Sequence, residues 1–74
     1  MSTYGKLFQM SDVVRLAVNI PKYGLIKGDI GAVVCVFMVP YVAFEIEFVG
    51  DKGETIAQLA LCPEYLTFYE WSHV

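Results

Sequence analysis

Apolar and polar residues alternate most cleanly at Phe44, Glu45, Ile46, Glu47 and Phe48. A period of two puts the three apolar side chains on one face of a strand and both carboxylates on the other. This predicts a strand with Phe44, Ile46 and Phe48 in the core. Gly50-Asp51-Lys52-Gly53 then reads as a tight polar hairpin turn, with residues 54–61 as the antiparallel partner strand and Thr55, Ala57, Leu59 and Leu61 on one face. Upstream, residues 13–18 are rich in β-branched types and end at Asn19-Ile20-Pro21, where proline removes a ladder donor. Residues 21–31 hold Gly24, Gly28 and Gly31 and read as a long structured loop, with Leu25 and Ile26 folding back onto the core. Gly31 opens a second strand over residues 32–39, apolar on both faces, and Pro40 marks its end or a bulge. Cys62-Pro63-Glu64-Tyr65 predicts a single 3-10 turn, since proline at the start of a helical turn loses no needed donor. Residues 66–69 supply a last short strand.

That order predicts an all-β chain, a small five-stranded SH3-like barrel with one short 3-10 turn before the last strand. The barrel is expected over residues 12–69, with residues 1–11 as an N-terminal tail or pre-strand and residues 70–74 as a C-terminal tail. No segment longer than about ten residues carries a helical period, so a helix-covered sheet fits poorly. Closure of the strands would protect edges that otherwise template aggregation. An OB-fold, the rival topology, wants a larger helix between its third and fourth strands than the chain has room for.

Composition narrows the function classes. Of 74 residues, 57% are apolar and 18% charged, against roughly 25% charged in an ordinary soluble domain. That is more apolar surface than so small a core can hide. A net charge of -3 gives no general basic field for phosphate backbones. Cys35 and Cys62 match no metal-ligand spacing and read as buried or half-buried thiols. The N-terminal Met-Ser-Thr-Tyr-Gly-Lys lacks the features of a signal peptide, so a cytoplasmic location is expected. Residues 30–44 carry no charge, but they are too few for a membrane helix of about 20 residues, and Pro40 interrupts them.

Several ordered motifs carry a resemblance. Asp12-Val13-Val14 with Leu16, Ile20-Pro21, Gly24-Leu25, Lys27-Gly28-Asp29-Ile30-Gly31 and Val33-Val34 are followed by Glu45-Ile46-Glu47-Phe48-Val49 and Gly53-Glu54-Thr55. Over residues 12–66 the chain resembles the small bacterial domain-of-unknown-function family 4926. The resemblance implies an SH3-like barrel and brings no activity, cofactor or catalytic residue with it. It also suggests a protein partner, such as the product of a neighbouring gene, in an antitoxin-like or immunity-like role. Where that family has a polar, glycine-containing connection between strands two and three, this chain has Met38-Val39-Pro40-Tyr41-Val42-Ala43. The segment from Lys27 to Val34 is also similar to the glycine-centred turn of KOW-type barrels and of the nitrile hydratase β-subunit barrel. Shared turn geometry accounts for this, since a sharp turn into a strand favours glycine followed by β-branched residues.

No catalytic, cofactor-binding or metal-binding residues are expected. His73 stands alone near the C-terminus. Glu45 and Glu47 share a strand face about 7 Å apart, from a rise of roughly 3.3 Å per residue, and read as a solvated face. Asp51 and Glu54 would make a poor cation site beside Lys52. The glycines of residues 24–31 lack the Lys-Ser/Thr and helix of a phosphate loop. Two binding surfaces stand out instead. Phe37, Met38, Val39, Pro40, Tyr41 and Val42 form an apolar connection that the core does not need, and partner protein or self-association is the leading expectation. The structural alternative folds Met38, Val39 and Tyr41 over Phe8 and Met10 as a satellite core. Arg15, Lys22, Tyr23 and Lys27 would form a small nucleic-acid patch, opposed by the five glutamates. A third reading is an accessory subunit of a metalloenzyme, by analogy with the nitrile hydratase barrel.

Overall fold

A computed structural model of the chain describes residues 8–69. Its strands are β1 (Val13–Leu16), β2 (Ile30–Phe37), β3 (Ala43–Val49), β4 (Thr55–Leu61) and β5 (Leu66–Phe68), with 3-10 turns at Pro21–Tyr23 and Pro63–Tyr65. All pairings are antiparallel, and the strands form one sheet in the order β4-β3-β2-β1-β5. Strands β1 to β4 form a meander, and β5 returns to the free side of β1. The chain is an SH3-like five-stranded sheet with a seam left open between β4 and β5.

The expected five-stranded SH3-like order is present, with the sheet unclosed at this seam. Pro63 stops β4 after Leu61, and the turn carries the chain across to β1, where Val14 pairs with Phe68 and Leu16 with Leu66. The link is continued by the Ala17 N–H, which donates to the Tyr65 carbonyl at 2.7 Å. β1 nevertheless stops at Leu16, two residues short of the expected Val18. Among the described residues, no helix is long and apolar enough to cross a membrane.

The core is the inward face of the alternating strands. Phe44, Ile46 and Phe48 are buried as the period of two requires, beside Val14, Leu16 and Val33. β2 begins and ends two residues earlier than the expected 32–39. Gly31 lies within the strand, paired with both Val14 and Phe48, where a Cβ would come 2.6 Å from Cγ2 of Ile46 and 2.9 Å from the Glu47 carbonyl oxygen. Glycine is needed there for close approach, not for a turn. A bulge between Val33 and Cys35 then shifts the register and bends the strand.

A second bulge corrects the face assigned to Thr55. Phe48 pairs with Ala57 but Val49 with Thr55, leaving Ile56 as the extra residue. Thr55 therefore lies beside Glu47, to whose Oε2 its hydroxyl donates at 2.6 Å, while Ala57 and Leu59 pack against the core and Leu61 is buried in it.

The long loop is pinned on the core through one residue, not two. Ile20 and Leu25 exchange backbone hydrogen bonds around the Pro21–Tyr23 turn. This points Leu25 inward and leaves Ile26 in solvent. Phe8 supplies a core contact from the segment read as a tail or pre-strand. Its ring stands edge-on to Phe44 at 5.2 Å and lies against Phe68 at 4.5 Å. Met10 is exposed, so the satellite core over Met38, Val39 and Tyr41 does not form.

Candidate functional site

The connection from β2 to β3 gathers the apolar residues that the core leaves over. The last pair of the ladder is Phe37 with Ala43, and residues 38–42 bridge it through a cis Val39-Pro40 bond. Phe37 is 40% exposed, Met38 57%, Val39 82% and Tyr41 63%. Pro40 is also exposed, and Val42 alone of the six turns back to pack on the core. An exposed Val or Tyr is ordinary taken singly, but a contiguous set is not.

The four residues of the possible nucleic-acid patch are differently placed. Arg15, half-buried on β1, donates to the Gly28 carbonyl at 3.3 Å and lies over the Tyr69 ring at 5.0 Å. Its charge is committed to holding the loop. Lys22 and Tyr23 share the Pro21–Tyr23 turn, with the ammonium 5.8 Å from the ring centre. The Lys27 N–H donates to Asn19 Oδ1, and the Lys27 side chain is exposed.

The carboxylates are engaged in the sheet surface. Glu45 accepts from Gln58 Nε2 at 2.9 Å, and Glu47 from Thr55. Among the described residues, no group of three or more His, Cys, Asp or Glu is placed to hold a metal ion. Both thiols are free and half-buried. His73 lies outside the described residues.

A family model for a domain of unknown function, DUF4926, matches residues 10–68. The chain belongs to the DUF4926 family. No curated protein and no solved structure matches it. The DUF4926 description names no activity, so the chemistry of the surface carries the functional argument.

This DUF4926 chain has a second surface feature that sequence reasoning missed. The open seam is a groove of about 320 Å³. It is lined by Val18, Ile20 and Pro21, by Leu59 and Leu61 of β4, and by Tyr65. Asn19 and Lys22 are the polar residues of the lining. The residues come from three separate stretches and have no shared period.

Proposed function

We propose that the chain is a non-enzymatic protein-interaction module that binds a partner protein, or a second copy of itself, through Phe37, Met38, Val39, Pro40 and Tyr41, with Val42 anchoring the segment. One observation carries the reading. Four large apolar side chains between 40% and 82% exposed lie within five consecutive residues at the end of β2 and in the connection that follows. Removing such a patch from water is the dominant favourable term in association.

A small partner encoded nearby, in an antitoxin-like or immunity-like pairing, fits the acidic balance of the chain, net -3. A cytoplasmic setting goes with the two unpaired thiols. The test is the native mass of the complex isolated from the source organism, repeated with Met38→Ser and Tyr41→Ser together. The double variant is expected to lose its partner while staying folded. A native protein that is monomeric and free of any stoichiometric partner would overturn the reading.

A further inference from the structure

We propose that the seam between β4 and Tyr65 is a docking groove for an extended peptide segment of a partner protein, whose backbone pairs with β4 and whose aliphatic side chain sits between Leu59, Leu61 and Ile20.

Two independent features meet at this place. The first is the edge of β4. Among the described residues β4 pairs with β3 alone, which leaves the N–H and C=O groups of alternate β4 residues facing away from the sheet. Proteins usually guard such edges with charge, proline or short length. β5, the opposite edge, has only three residues. β4 reads Thr-Ile-Ala-Gln-Leu-Ala-Leu and contains neither charge nor proline. Its backbone is suited to one kind of ligand, another extended chain.

The second feature is the groove beside that strand. Val18, Ile20 and Pro21 line it together with Leu59 and Leu61, so a chain lying there along β4 meets apolar surface from both stretches. The volume of about 320 Å³ lies at the lower end of the roughly 300–1,000 Å³ of small-molecule sites. It suits one or two aliphatic side chains of a strand rather than a whole cofactor. The lining has one cation, Lys22, and no carboxylate, on a chain of net charge -3. An acidic residue next to the aliphatic one therefore fits best. β4 of a second copy brings no such charge, which favours a foreign segment over self-pairing.

This groove does not use residues 37–42, so the two proposals stand or fall separately. The test is selection of a random heptapeptide library, displayed on phage, against the intact chain, followed by amide chemical-shift mapping with the peptides recovered. Support consists of peptides pairing an aliphatic residue with Asp or Glu, and of shifts and slowed hydrogen exchange along β4 together with shifts at residues 18–22 and Tyr65. Lys22→Glu, at an exposed position, should weaken those peptides about fivefold, the upper range for an exposed ion pair, and leave the spectrum of the free protein otherwise unchanged. Recovery of no binding peptide, shifts confined to residues 37–42, or unchanged affinity of the acidic peptides for Lys22→Glu would each overturn the proposal. So would a doubling of native mass that protects the β4 amides without peptide.

Discussion

The meander from β2 to β4 contains two connections that solve the same geometric problem with opposite chemistry. The β3–β4 turn is polar throughout. Gly53 occupies the left-handed region at φ 82°, its N–H donates to the Gly50 carbonyl, and the Gly50 N–H donates to the Glu54 carbonyl. Glu54 Oε1 also accepts from the Lys52 N–H at 3.1 Å. Each of these features serves the turn itself. The β2–β3 connection, residues 38–42, places Met38, Val39 and Tyr41 in water. A hairpin needs no such residues to reverse direction. The polar turn is explained by folding alone, whereas the turn geometry does not account for the apolar side chains of the other connection, which the proposed interface would cover.

The largest perturbation removes the frame shared by both connections. Phe44, next to the apolar connection and packed under Phe8, should cost about 3–5 kcal/mol when truncated to Ala. That equals the roughly 3–5 kcal/mol a core of this size supplies. Phe44→Ala should therefore be largely unfolded by circular dichroism at 25 °C, and a cooperative transition close to that of the native chain would show that the core lies elsewhere. A smaller loss isolates the polar turn. Gly53→Ala puts a Cβ at φ 82°, where an L-residue pays about 1–2 kcal/mol. Urea denaturation should report that loss with an unchanged slope, and no measurable loss would mean that the turn relaxes to another form.

Smaller again is the effect of the outer face of the β3–β4 ladder. Thr55→Ala removes the hydroxyl that bonds to Glu47, an exposed cross-strand pair whose loss should cost about 0.2–1 kcal/mol. A cost above this range would indicate that the bulge at Ile56, which turns Thr55 toward Glu47, depends on the bond.

These contrasts mark what was legible in the sequence. Period two named Phe44, Ile46 and Phe48, and the Gly50 and Gly53 turn was readable because its residues act on their own backbone. Features that depend on a distant partner were not readable. Thr55 changes face through a bulge set by its pairing with β3, and Gly31 is required by the approach of Ile46. Phe8 enters the core from beyond the periodic segments, and the β4 seam exists only because β5 chooses β1. The apolar connection was visible for the opposite reason, because Met38 to Val42 stay apolar through a chain reversal where turns are usually polar.

The smallest stability effect is expected at the connection itself, and it sharpens the comparison most. Met38 and Tyr41 are more than half exposed, and no hydrogen bond or ring contact of theirs ties the hairpin together. Serine at both positions exchanges exposed apolar surface for polar surface in the free chain, so denaturation free energy should move by no more than about 0.5 kcal/mol. If the positions serve only the fold, association is unaffected and the small change in stability is the whole effect. If they serve an interface, the same protein shows native stability together with loss of its bound partner. A drop in stability of about 2 kcal/mol or more would place Met38 or Tyr41 in the core and remove the contrast between the two connections.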